Sequence, residues 1–130
     1  MAEVLRNDYL AVTGEDDFLT LAWHKEEPDD AHATATAETV TGALEGLFAK
    51  DRNRRFRVLI DLIAVRKTFP RAIATYATWL VSHKGQIRAG AFATKSMLLR
   101  AAVSAAVLIP GLTMKGFSDL DQAKAFVASR

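Results

Sequence analysis

The stretch Phe56-Arg57-Val58-Leu59-Ile60-Asp61-Leu62 decides the fold of this chain. It is a short, nearly continuous run of apolar residues, preceded by a basic cluster at residues 50–55 and followed by a helical pattern that begins at Pro70. Such a run is typical of a strand buried on both faces, as in a sheet covered by helices. In an α/β fold of this kind, the loop after the strand, residues 63–69, is the expected position of a functional site.

The elements around this strand predict one α/β domain over residues 1–130. Residues 9–12 and 18–23 alternate around the turn at residues 13–17, which indicates an opening antiparallel hairpin. The period then becomes helical, and later strands alternate with helices, which favours a mixed, mostly parallel sheet with flanking helices. The predicted order is β-β-α-β-α-β-α-β-α, with helices at about 32–50, 70–84, 96–109 and 118–127 and later strands at 87–94 and 113–117.

Composition narrows the class of protein. The chain has 130 residues, half of them hydrophobic, and contains no cysteine, which excludes disulfides and thiolate chemistry. Its longest apolar stretch, residues 97–109, is interrupted by Arg100 and Ser104 and is shorter than the ~20 residues of a membrane span. The first eight residues lack the apolar core of a signal peptide. We therefore expect a cytoplasmic protein with no membrane span.

Charge is unevenly distributed along the chain. Residues 1–49 hold 2 Lys/Arg against 11 Asp/Glu, whereas residues 50–100 hold 12 Lys/Arg against 2 Asp/Glu. The favoured interpretation is that these oppositely charged segments lie near each other and partly neutralise. The alternative is a basic surface for an acidic partner, a phosphate or nucleic acid. Nucleic acid is disfavoured, because the basic residues are spread over several elements and aromatic residues do not interleave with them.

Three stretches resemble a known family. Val58-Leu59-Ile60-Asp61-Leu62 is similar to the central strand of STAS-type domains, and Ile87-Arg88-Ala89-Gly90-Ala91-Phe92 to their next parallel strand. The segment from Phe117 through Asp119 and Ala123 to Val127 is similar to their closing strand-to-helix segment, F-x-D-x-x-x-A-x-x-[WF]-[LV]. With their order and spacing, the whole chain looks like a SpoIIAA-like protein, related to anti-sigma-factor antagonists.

The resemblance implies a regulatory module that binds a protein partner and is not an enzyme. Such domains are sometimes controlled by phosphorylation in an Asp-Ser-Ser-Gly-like motif at the start of the helix after the central strand. That motif is absent from residues 65–71, and the acceptor position falls on or next to Pro70. Thr68 is the nearest possible phospho-acceptor.

The same loop contains the residues that we predict to contact a partner. A helix N-terminus with nearby cations can hold a phosphate or carboxylate, although a solvated surface loop is the simpler interpretation. No catalytic site or cofactor is predicted, because neither a Gly-rich phosphate loop nor a Gly-x-Ser-x-Gly elbow is present, and the three histidines are too far apart in sequence for a metal site. The predicted partner-binding residues are Arg66, Lys67, Thr68 and Arg71.

The helix at residues 97–109 is apolar almost all round, whereas a helix beside a small sheet needs one buried stripe. A second apolar face could form a homodimer, or neighbouring helices could cover it completely. A further alternative is a sensor or carrier with a cavity between this helix and the sheet, holding a small apolar or anionic ligand or a lipid, with room given by Ala89, Gly90, Ala91 and Ala93. The predicted self-association face consists of Leu99, Val103, Ala106 and Val107.

Overall fold

A computed structural model describes residues 2–130 of the chain. A sheet of six strands, ordered β1-β2-β3-β4-β5-β6, is flanked by four helices. The strands are β1 Ala2–Arg6, β2 Leu10–Glu15, β3 Phe18–Trp23, β4 Phe56–Asp61, β5 Ile87–Ala93 and β6 Met114–Phe117. The helices are α1 Asp30–Ala49, α2 Pro70–His83, α3 Met97–Ala106 and α4 Leu120–Ala128.

The central position of β4 confirms the prediction made from the deciding stretch. Strands β1 to β3 are antiparallel neighbours, and β3, β4, β5 and β6 pair in parallel, as expected when helices form the connections. Leu59 pairs with Thr20 of β3 and with Ala91 of β5. Its side chain belongs to the cluster packed against α4, whereas Val58 belongs to the cluster formed with α1, α2 and α3. The strand is therefore sandwiched between two helical layers.

The structure differs from the sequence-based expectation in one additional strand and in the end of one helix. Strand β1 was not predicted, because Val4 and Leu5 are adjacent rather than alternating, and the pairing of β1 with β2 is irregular between Glu3 and Leu5. Helix α3 ends at Ala106 instead of residue 109. Pro110 disfavours a helical conformation at the residue before it, so the chain leaves the helix just upstream.

The oppositely charged segments contact each other, as the favoured interpretation of the charge pattern predicts. Arg57 of β4 pairs with Asp17 at 2.9 Å, and both side chains are mostly buried. Arg54 donates to the carbonyl oxygen of Asp16. These contacts link the basic segment before β4 to the turn between β2 and β3, so part of the positive charge is neutralised within the domain.

The Arg57–Asp17 pair predicts a dependence of stability on pH. The hydrogen bond from Arg57 holds the pKa of Asp17 below its ordinary value of 3.8. Because the pKa of Asp17 is lower in the folded state than in the unfolded state, its ionised carboxylate stabilises the fold at pH values above the unfolded-state pKa. This contribution is lost as the pH falls through the folded-state pKa. We expect Asp17→Asn to be less stable than wild type at neutral pH by up to about 1 kcal/mol, with the difference closing in acid. Urea denaturation at several pH values measures it.

The matched control for this variant is Glu15→Gln, which neutralises an exposed carboxylate in the same turn region. It should follow the wild-type curve at each pH. A difference between Asp17→Asn and wild type that stays constant from neutral pH to acid would contradict the assigned role of Asp17.

Candidate functional site

The loop after β4, residues 62–69, is anchored to the sheet by its backbone. Asp61 accepts a hydrogen bond from the backbone N–H of Ile63 at 3.0 Å, so its carboxylate shapes the turn. The N–H of Leu62 donates to the carbonyl oxygen of Ala93 at 2.8 Å, which ties the ends of β4 and β5 together. Val65 is buried, with 6% of its surface exposed. Val65 and the partly buried side chains of Leu62, Ile63 and Phe69 thus hold the loop against the domain.

The four predicted partner-binding residues all have exposed side chains around this anchored loop. The loop is tied to the acidic segment before α1, because the backbone N–H of Lys67 donates to the carboxylate of Glu26 at 3.0 Å. Arg71 lies 3.9 Å from Asp30, and the exposure of both groups makes this pair weak. The side chains of Arg66 and Lys67 form no ion pair within residues 2–130.

Thr68 is exposed two residues before α2 begins at Pro70. The N-cap position is Phe69, which supplies no side-chain hydrogen bond to the helix. The hydroxyl of Thr68 is therefore not used to cap the helix, and its role as a phospho-acceptor stays a prediction.

The predicted self-association face is corrected by the structure. Leu99, Val103 and Val107 are at most 8% exposed and pack into the main core, and Ala106 is partly buried. Their spacing defines a single helical stripe, and that stripe is the one that faces the sheet. The large apolar side chains that are exposed within residues 97–109 are instead Met97, Leu98 and Leu108, with 87%, 81% and 85% of their surfaces exposed.

A cavity of about 90 Å³ lies between this inward face of α3, helix α2, the loop after β4 and strands β3 and β4. The small residues predicted to make room for it lie elsewhere: Ala91 and Ala93 pack against α4, and the side chain of Met114 covers Gly90. The cavity walls are mainly apolar, and they include Leu21, Ile60, Leu62, Val65, Phe69, Ala72, Ile73, Leu80, Leu99 and Val103.

Two buried polar side chains interrupt these walls. Glu27 is only 4% exposed, and its carboxylate accepts a hydrogen bond from the indole of Trp23 at 3.0 Å. The hydroxyl of Tyr76 is buried and has no hydrogen-bond partner within residues 2–130. Burial, and secondarily the negative charge of Glu27, raises the pKa of Tyr76 well above its usual range. The phenol is therefore a neutral donor facing apolar surroundings.

Sequence reasoning identified neither of these two residues as functional. Tyr76 packs against the core from α2, and a tyrosine in the inward stripe of a helix is a signal for a buried hydroxyl. Glu27 had no comparable signal, since it is one of several carboxylates in an acidic loop. Its burial depends on Trp23, whose indole donates to it.

The family assignment rests on the match of this sequence to a family model, and the architecture is consistent with it. The SpoIIAA-like family matches residues 20–128, which is nearly the whole chain. The chain belongs to the SpoIIAA-like family. It is thus a STAS-like regulatory domain by family, and the six-stranded sheet with β4 at its centre is consistent with this. A search of curated proteins found no match.

The three histidines of this SpoIIAA-like domain belong to no potential metal-binding cluster within residues 2–130. His24 is exposed and contacts the carbonyl oxygen of Asp8, and His32 lies at the start of α1 against Tyr9. His83 is partly buried, with its ring stacked on Trp79 and its Nε2 3.0 Å from Glu45. Among residues 2–130, no helix has the length and apolar character needed to cross a membrane.

Proposed function

We propose that this SpoIIAA-like domain is a non-enzymatic, cytoplasmic regulatory module that binds an acidic surface of a protein partner. Binding uses a docking edge, which we define as the side chains of Arg66, Lys67, Thr68, Arg71, Met97 and Leu98. The observation that carries this proposal is the exposure of Met97 and Leu98 at one edge of the sheet, close to a loop whose cations are also exposed.

Two observations indicate that the loop and the start of α3, the two halves of the docking edge, lie close together. The Leu62–Ala93 hydrogen bond joins the ends of β4 and β5, so the segments that follow these strands leave the sheet side by side. Lys67 and Leu99 line the same cavity, which brings the loop to the first turns of α3. An apolar centre with a charged rim is the usual composition of a protein interface, and the positive rim steers an acidic partner.

The chemistry of this edge favours binding over catalysis. Two carboxylates near the loop, Asp61 and Glu26, both accept hydrogen bonds from its backbone, so they act as structural anchors. A third carboxylate, Asp30, forms only a weak, exposed pair with Arg71, and the other exposed groups are cations, apolar side chains and the Thr68 hydroxyl. Phosphorylation of Thr68 would place negative charge among Arg66, Lys67 and Arg71 and reduce the attraction for an acidic partner.

Self-association is a further part of the proposal and uses a different face from the one first predicted. The exposed side of α3 and its end is mainly apolar and is interrupted by Arg100 and Ser104; its apolar residues are Met97, Leu98, Ala101, Ala105 and Leu108. A homodimer through this side would cover Met97 and Leu98, so it would compete with the partner for part of the docking edge.

The test is affinity capture from the native cell extract, with each recovered protein quantified against the bait. Reversing two charges with Arg66→Glu and Lys67→Glu should lower the recovery of the specific partner about tenfold or more, since like charges across an interface are strongly unfavourable. Lys124→Glu, a reversal on exposed α4, is the matched control and should leave recovery unchanged. Equal recovery by the loop variant and wild type, or no specific partner, would refute the docking edge.

A second function is favoured by the cavity. We propose, as the alternative, a sensor or carrier that holds a small molecule between α2, α3 and the sheet. The observation behind it is a mainly apolar space of about 90 Å³ that contains an unpartnered hydroxyl. Because Val65, Lys67 and Phe69 of the loop line this space, a bound molecule would contact the docking edge from inside.

A further inference from the structure

We infer that the cavity binds a small, uncharged, mainly apolar molecule with one hydroxyl group, held by Tyr76 and Glu27. This inference rests on the second proposed function, and it adds the chemical class of the ligand. The structural basis is the presence of one unused hydrogen-bond donor and one buried carboxylate in walls that are otherwise apolar, apart from Lys67 of the exposed loop.

Tyr76 determines the first requirement, a hydrogen-bond acceptor on the ligand. Its hydroxyl is buried in the fold without a partner, a state that is uncommon because an unsatisfied buried polar group is costly. The raised pKa keeps the phenol protonated, so it can donate. The ring is held edge-on to Trp23, with centroids 5.9 Å apart, which fixes the position of the donor within the cavity wall.

Glu27 determines the second requirement, the absence of negative charge. Trp23 already donates to one carboxylate oxygen, Oε1, and the other oxygen receives no hydrogen bond from residues 2–130. An anionic headgroup would meet this carboxylate in a poorly solvated space, where repulsion is strong. An ammonium group could donate to Glu27 but could not accept from Tyr76. A hydroxyl group can do both, because it is donor and acceptor at once.

The walls determine the rest of the ligand. They are formed by aliphatic and aromatic side chains from α2, α3 and the sheet, so the remainder of the molecule should be apolar. An apolar cavity of about 150 Å³ in another protein accommodates benzene, and the present cavity of about 90 Å³ is smaller. Because benzene has six non-hydrogen atoms, the ligand of this smaller cavity should have fewer, so a four-membered hydrocarbon ring or a short branched chain with one hydroxyl is the appropriate size class.

The experiment compares three probes that are smaller than benzene and similar to one another in size: cyclobutanol, cyclobutane and propanoate. The chain has two tryptophans, and only Trp23 lines the cavity, so the full chain with Trp79→Phe reports occupancy through the fluorescence of Trp23. We expect cyclobutanol to bind at least tenfold more tightly than cyclobutane, and propanoate to bind more weakly than either. Adding Tyr76→Phe should remove most of the preference for cyclobutanol, whereas adding Tyr9→Phe should leave it intact.

The outcomes test two claims separately: that the cavity binds a ligand, and that this ligand is neutral and carries a hydroxyl group. If cyclobutane binds as tightly as cyclobutanol, or if Tyr76→Phe keeps the preference, the hydroxyl assignment is overturned while ligand binding in the cavity stands. Tight binding of propanoate would overturn the requirement for a neutral ligand. If none of the three probes changes the fluorescence of Trp23, the sensor or carrier function and this inference are both refuted.

Discussion

Leu59→Ala should lower the free energy of unfolding by about 2–5 kcal/mol, the range for removing a large aliphatic side chain from a core. Leu59 is 2% exposed in the central strand, where it packs against Ala123 and Val127 of α4. Its neighbours on that face in β5, Ala91 and Ala93, are too small to fill the space that the missing side chain leaves. Urea denaturation followed by circular dichroism measures the loss.

The matched control is Leu98→Ala, which makes the same chemical change at a position where 81% of the side chain is exposed. We expect a change within about 0.5 kcal/mol, as is usual for surface substitutions. If the two variants change the free energy of unfolding by nearly equal amounts, Leu59 is not buried between the sheet and α4. The docking edge would then lose its structural basis, since the loop after β4 depends on the position of this strand.

The sequence was sufficient to predict most of the fold, because the pattern of its central segments matches their burial. The run around Leu59 predicted a strand covered on both sides, and Pro70 predicted the start of α2. Strand β1 carries no comparable pattern: it lies at the edge of the sheet and pairs only with β2, so its residues are not constrained to alternate. An edge strand of this kind is specified by its partner rather than by its own sequence.

The site was predictable only where it follows from chain order. The loop after β4 was expected at the carboxyl edge of the sheet, and it lies there. The orientation of α3 was not predictable, because both the stripe containing Leu99 and Val103 and the stripe containing Met97 and Ala101 are apolar. Periodicity gives the spacing of a stripe but does not say which of two apolar stripes faces the sheet. Tertiary packing decides that choice.

The polar part of the cavity was harder still to predict, since it depends on contacts between distant elements. Glu27 precedes α1, and Tyr76 belongs to α2, yet both line one space beside Trp23 of β3. A buried carboxylate and a buried phenol each reduce stability unless they are paired. Because Trp23 pairs with only one of them, the fold retains a polar group whose hydrogen bond is left unmade. That combination is typical of a site whose partner is not part of the chain.

The Tyr76 hydroxyl therefore makes a second strong prediction, this time of a gain in stability. Tyr76→Phe should raise the free energy of unfolding of the ligand-free protein by about 1–3 kcal/mol, because it removes a buried hydroxyl that has no partner while the ring keeps its packing. Thermal and urea denaturation of the purified, ligand-free chain measure the change. Tyr9→Phe, at a partly exposed tyrosine, is the matched control and should stay within about 0.5 kcal/mol of wild type.

The sign of this change distinguishes two accounts of the cavity. A gain in stability means that the hydroxyl is costly in the empty protein, so that its presence is explained by what it binds. A loss of stability would mean that the hydroxyl already has a partner, such as a bound water molecule, and the reason for assigning it to a ligand would disappear. If the gain in stability is accompanied by loss of the preference for cyclobutanol, one oxygen atom both destabilises the free protein and selects the ligand, which is the expected trade-off for a binding residue.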